Sequence, residues 1–105
     1  MTLKIESMTD LVALLRLALS NRAERVSTIK AFQKYVFDTG APVPGATAEQ
    51  WETLNDLAVD LDYYEPDPVD RREDTSYYGD QRVEVEITEA LQKLGEVAPA
   101  SDPAH

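Results

Sequence analysis

A chain of 105 residues, 43% of them apolar and none of them cysteine, has the size of one globular domain and excludes disulfides and thiol catalysis. Twenty acidic against ten basic residues give a formal charge of −10, which disfavours nucleic acid and anionic membranes and favours a cationic partner. The charge is unevenly placed: residues 1–48 carry a balance of +2 and residues 49–89 one of −11. The N-terminus lacks the basic region and unbroken apolar run of a signal peptide. Its best apolar stretch, Leu11 to Leu19, is interrupted by Arg16 and is too short to span a bilayer. A soluble, cytoplasmic protein is expected.

The first helix is expected from Met8 to Leu19, capped by Thr9 or Asp10, with Leu11, Leu14, Leu15 and Ala18 at helical spacing. Ser20 and Asn21 read as a break and a second cap. A second helix follows from Ala23 to Asp38, with Val26, Ile29, Phe32 (or Gln33) and Val36 on one stripe and Gly40 as its stop. The prolines at 42 and 44 make residues 40–45 an extended connection. Thr47 and Gln50 have capping-box spacing and open a third helix, whose apolar set is Trp51, Leu54, Leu57, Ala58 and Leu61. The other face of that helix carries Glu49, Glu52, Asp56 and Asp60, with Asp62 near its end. Tyr63 and Tyr64 finish it, and Pro66 prevents continuation.

Residues 65–80 read as a long loop, a feature that is either functional or disordered in a small domain. Residues 81–93 are ambiguous. Val83, Val85 and Ile87 alternate with glutamates as in a strand, whereas Val83, Ile87, Ala90, Leu91 and Leu94 form a helical stripe. A lone strand has no partner elsewhere in the chain, so a fourth helix is expected, ended by Gly95. The resulting architecture is all-α: an antiparallel four-helix bundle over residues 1–96 with a long acidic loop between helices three and four, and a disordered tail at 97–105.

Few groups are eligible for catalysis. The one histidine is the final residue, His105, and there is no P-loop, dinucleotide fingerprint or Cys/His metal spacing. The calcium-loop ligand pattern with its central glycine is also missing. No enzyme, metal, cofactor or small-molecule ligand is expected. Dense acids without an apolar pocket to raise one pKa are more often a solvated face than an acid–base pair, and a solvated face is expected here.

The acidic stretch has its own pattern. Asp62, Glu65, Asp67 and Asp70 are interleaved with Tyr63 and Tyr64 and stiffened by Pro66 and Pro68. Proline limits the entropy lost on docking, and tyrosine is a frequent interface anchor. The bland alternative is that the tyrosines cover the core while the acids face water. Like-charge repulsion along this stretch predicts mobility in the free protein.

Tyr64-Glu65-Pro66-Asp67, then Asp70-Arg71, then Val83-Glu84-Val85 leading into an Ile-x-x-x-Leu helix, resembles colicin D-type immunity proteins of the bacterial self-protective, colicin-like family. The likeness spans residues 11–94, with the aromatic-Glu-Pro-Asp core its sharpest part; the 40–45 connector and the Ala/Pro tail depart from it. The resemblance implies an immunity protein that covers the basic cleft of a toxin nuclease, a tRNase of a bacteriocin or contact-dependent inhibition system, with carboxylates that imitate RNA. It carries over to Asp56, Asp62, Glu65 and Asp67. Charge, ring chemistry and proximity add Asp60, Asp70, Tyr63 and Tyr64. The alternative is an acidic nucleic-acid mimic or adaptor on another basic host protein.

Overall fold

A helix terminus leaves backbone groups unpaired; here the Thr47 side chain meets one at the start of the third helix, while the caps at Ser7, Glu24 and Gly79 supply no side-chain bond. The computed structural model describes residues 5–73 and 75–95. Its α-helices are α1 (Met8–Ser20), α2 (Arg25–Thr39), α3 (Ala48–Asp60) and α4 (Asp80–Lys93). Short 3₁₀ turns occupy Arg22–Glu24, Leu61–Tyr63 and Asp70–Glu73. Among the described residues there is no strand, only an isolated parallel bridge between Tyr64 and Tyr78. The alternation at 83–87 is therefore helical. The expected tail lies outside the described residues.

The caps mostly follow local chemistry. Thr47 and Gln50 form the complete capping box, with Thr47 N donating to Gln50 Oε1 at 2.9 Å and Gln50 N to Thr47 Oγ1 at 3.0 Å. Asn21 accepts from Glu24 N and turns the chain through the 3₁₀ segment into α2. Gly40 ends α2 at φ 65, the left-handed conformation in which glycine carries no Cβ penalty. The cap of α1 is Ser7, not Thr9 or Asp10. Asp10 instead reaches back to accept from Glu6 N at 2.8 Å. The fourth helix starts at Asp80, one residue before the expected Gln81.

The core lies between the helices: α1 packs on α2 and α4, and α3 packs on α2 and α4. Leu11, Leu14, Phe32, Leu54, Val83 and Ile87 are fully enclosed. Val43 is also buried, and Pro44 O accepts from Met8 N, so the 40–45 connector packs under the start of α1. Gln50 Nε2 at the start of α3 donates to Leu94 O, just past the end of α4.

One core position departs from the expected stripe. Ile29, Phe32 and Val36 are buried, but Val26 is 40% exposed and Arg25 is 0% exposed. Extending the 29-32-36 register back one turn reaches 25, so the helix rotation places a guanidinium where an apolar side chain was expected. Arg25 is fully partnered. Its Nε donates to Ala18 O at 2.6 Å and its Nη2 to Leu19 O at 3.0 Å, capping the end of α1. Nη1 pairs with Asp80 Oδ1 and Nη2 with Glu84 Oε2, both at 2.9 Å, on the first turns of α4. Arg22 also reaches Glu84 at 2.9 Å.

This network sets an acid dependence. The Asp80 carboxyl is held below its ordinary value of 3.8 by the Tyr64 hydroxyl and then by Arg25, against an opposing effect of burial. Glu84 is held below 4.5 by hydrogen bonds from Arg25 and Arg22. Depressed carboxyl pKa values contribute stability that is present above the unfolded values and lost as pH falls through the folded ones. Arg25→Ala takes the guanidinium from two carbonyls and two carboxylates, leaving Glu84 with Arg22 and Asp80 with Tyr64, and should cost at least about 1.5–3 kcal/mol, read by urea unfolding at neutral pH. The wild-type chain should lose stability as pH falls from about 5 through the lowered Asp80 and Glu84 values, and the variant should lose less over the same fall. An equally steep loss in Arg25→Ala would place the acid sensitivity elsewhere.

Candidate functional site

Two acidic stripes come from helices far apart in sequence. On α3, Asp56 and Asp60 are four residues apart with the buried Leu57 between them in sequence; on α4, Glu86 and Glu89 are three apart, and the buried Ala90 follows Glu89 and lies one turn on from Glu86. Where α3 meets α4 the stripes face one another across an open groove of about 260 Å³. Leu57 and Ala90 supply apolar lining, Thr53 adds a hydroxyl, and Lys93 is the one basic residue lining it. Among the described residues no group of acids is arranged to hold a metal ion.

The Asp60 end of the groove is the most constrained. The Tyr78 hydroxyl donates to Asp60 Oδ2 at 2.7 Å and lies 3.0 Å from Asp60 O. Glu86 Oε2 accepts from Arg82 Nε at 2.6 Å, and the Arg82 guanidinium carbon lies 5.3 Å from the centre of the Tyr78 ring. Burial pushes the Asp60 carboxyl above its ordinary 3.8, the Tyr78 bond works against that, and the neighbouring Glu86 charge adds to it. The negative end of the α3 dipole disfavours a carboxylate there as well. Tyr78 is driven upward by burial and by Asp60.

The segment between α3 and α4 is tied to the helices at several points. Tyr78 N donates to Tyr63 O at 2.9 Å and Glu65 N to Tyr78 O at 2.8 Å. The Tyr64 hydroxyl donates to Asp80 Oδ1 at 2.6 Å; burial and that carboxylate push the phenol up to about 12. Arg71 Nη1 donates to Glu65 O at 2.7 Å and to Pro66 O at 3.2 Å. Its guanidinium sits so close to Gly79 that a Cβ there would fall 2.6 Å from Nη1. Glycine at 79 is thus a condition of the Arg71 clasp. These bonds oppose the mobility expected from charge repulsion.

The expected site residues divide into three groups. Asp56 and Asp60 line the groove. Asp62 lies on the α2 side of the chain, accepting from Gln33 Nε2 at 2.9 Å, the same amide that donates to Ala58 O. Glu65, Asp67 and Asp70 belong to the connecting segment. There Glu65 Oε2 accepts from Asp67 N, Asp67 Oδ1 from Val69 N, and Asp70 opens a 3₁₀ turn. Tyr63 is exposed, whereas Tyr64 is half-buried against the core. The acids after α3 therefore do not form one continuous row. Glu86 and Glu89, absent from the expected set, complete the groove; their i, i+3 spacing on an expected helix is the signal that would have paired them. The chain matches no family model, no curated protein and no solved structure.

Asp60 provides a signed test. A folded pKa above the unfolded one means that its contribution is present below the unfolded value and is lost as pH rises through the folded value. Asp60→Asn should therefore raise the melting temperature at neutral pH, and the gain should vanish near pH 3, where the wild-type carboxyl is protonated. Tyr78→Phe should lower stability by about 1–2 kcal/mol at neutral pH, since it removes a hydroxyl bonded to a carboxylate. Thermal unfolding of both variants over a pH series reads the two effects separately.

Proposed function

We propose that this protein is an immunity protein that neutralises a cognate toxin nuclease, a tRNase of a bacteriocin or contact-dependent inhibition system, by covering its basic cleft. The supporting observation is the gathering of Asp56, Asp60, Glu86 and Glu89 around one groove, next to a connecting segment rich in further acids. A nuclease must be cationic where RNA lies, and closely spaced carboxylates can occupy that field as phosphates do. Opposite fields also raise association rates above the ~10⁵–10⁶ M⁻¹s⁻¹ of neutral pairs, which suits capture of a toxin before it acts.

The resemblance in the Tyr64–Asp67 segment points the same way. The packing fits an antiparallel four-helix bundle: Gln50 at the start of α3 meets Leu94 at the end of α4, and Asp60 at its end lies near Tyr78 and Glu86. The toxin contact would centre on the groove and extend to Glu65, Asp67 and Asp70, with the exposed Tyr63 at its border. Asp62, turned toward α2, would contribute less.

The test is an RNase assay on the product of the adjacent upstream gene, with and without this protein. Neutralisation by the wild type is expected. Reversing Asp56 and Glu89 to lysine should slow association by about tenfold or more at low salt while leaving the helical spectrum unchanged. Reversing Glu65 and Asp67 should slow it less. Full neutralisation with unchanged kinetics in both variants would remove the acidic surface from the mechanism, and a toxin left active by the wild type would remove the proposal.

A further inference from the structure

The groove residue Glu86 already holds a guanidinium of the protein itself, that of Arg82, which lines a neighbouring depression with Pro66, Arg71 and Gly79 and so borders the groove. Arg82 bonds Glu86 through Nε at 2.6 Å and stands 5.3 Å from the centre of the Tyr78 ring. The Tyr78 hydroxyl in turn grips Asp60. An aromatic face, a carboxylate in hydrogen-bond reach and a second carboxylate beyond it make a setting suited to a planar guanidinium. An ammonium can also sit over a ring, but it has neither a planar face to stack there nor a rigid fork to match a carboxylate.

Arg25 and Arg82, which both pair with carboxylates on α4, differ in how firmly they are held. Arg25 is enclosed, with bonds to two carbonyls and two carboxylates, and cannot leave without unfolding the end of α1. The Arg82 side chain is 59% exposed, and its ion pair with Glu86 is an i, i+4 contact on its own helix. Pairs of that kind contribute only tenths of a kcal/mol, so water and a competing cation can displace it.

Resting on the reading of the groove as the surface that meets a basic protein, we propose that Arg82 is an internal stand-in for a partner's arginine. On docking, the incoming guanidinium takes the place between Glu86 and the Tyr78 ring, with its aliphatic stem over Leu57 and Ala90, and Arg82 swings out to solvent. The charged and titratable groups that face the incoming cation are Asp56, Asp60, Glu86 and Glu89 on the acidic side, Lys93 opposing them, and Tyr78. Until it is displaced, Arg82 lowers the attraction of the groove for loosely matched cations. A partner must therefore present an arginine in the right place, not merely positive charge.

The experiment compares wild type, Arg82→Ala, Arg82→Gln and Lys30→Ala for binding of an oligoarginine peptide and a matched oligolysine peptide. Calorimetry gives the affinity, and amide shifts in a labelled sample locate the contact. Lys30, exposed on α2, controls for loss of one positive charge. Both Arg82 variants should bind oligoarginine about 2- to 5-fold tighter than wild type, with shifts centred on Asp60, Tyr78 and Glu86. Oligolysine should gain less, and Lys30→Ala should gain less for either peptide. An equal gain in Lys30→Ala, no gain in the Arg82 variants, or shifts centred away from the groove would overturn the proposal. Its failure is separable from that of the immunity reading. Peptide seated in the groove while the toxin stays active sinks only the latter, and a neutralised toxin with no Arg82 effect sinks only the stand-in.

Discussion

Arg25 is the contact on which the arrangement of the other elements depends. A guanidinium removed from water is tolerated only where its donors are met and its charge is balanced. Here the last carbonyls of α1 and two carboxylates on the first turns of α4 do both. The same Asp80 oxygen accepts from the Tyr64 hydroxyl, so the chain leaving α3 is bound to the start of α4 and, through Arg25, to the end of α1. Geometry that could otherwise slide is pinned by directional bonds, which apolar contacts between helices do not supply.

With α4 held in this way, the placement of its other acids follows. Asp80 and Glu84 turn toward Arg25, and Glu86 and Glu89, on a different side of the helix, turn toward α3. One helix thereby contributes carboxylates to a neutralised structural network and to a groove that is left strongly negative. The distinction is one of partners, not of residue type. Asp80 is held below its ordinary pKa by donors, while Asp60 is lifted above it by burial and by Glu86.

A carboxyl whose pKa is raised in the folded chain costs stability at neutral pH. Tyr78 offsets part of the cost by donating to Asp60, and its backbone closes the bridge to Tyr63 and Glu65. Tyr64 and Tyr78, bonded to Asp80 and Asp60, thus have both a structural and an electrostatic duty. Their rings lie 6.5 Å apart against the core, so the acidic segment is carried on packed aromatic surface.

Much of the helical framework was legible in the amino-acid order because it rests on short-range rules. The Thr47–Gln50 capping box, the Asn21 cap, the Gly40 stop and the apolar period of α4 each depend on residues within a turn or two of one another. Apolarity placed Val26 on the buried stripe, but the helix register buries Arg25 and leaves Val26 exposed. Only the presence of Asp80 and Glu84 across the fold makes burial of the arginine tolerable. Nor could spacing along the chain show that Asp60 faces Glu86 while Asp62 faces Gln33, because that depends on how α3 is rotated between its two neighbours. Caps and periodicity are properties of neighbouring residues and are written in the sequence itself. The balance of charges across the groove is a property of distances between helices, and those exist only once the chain has packed.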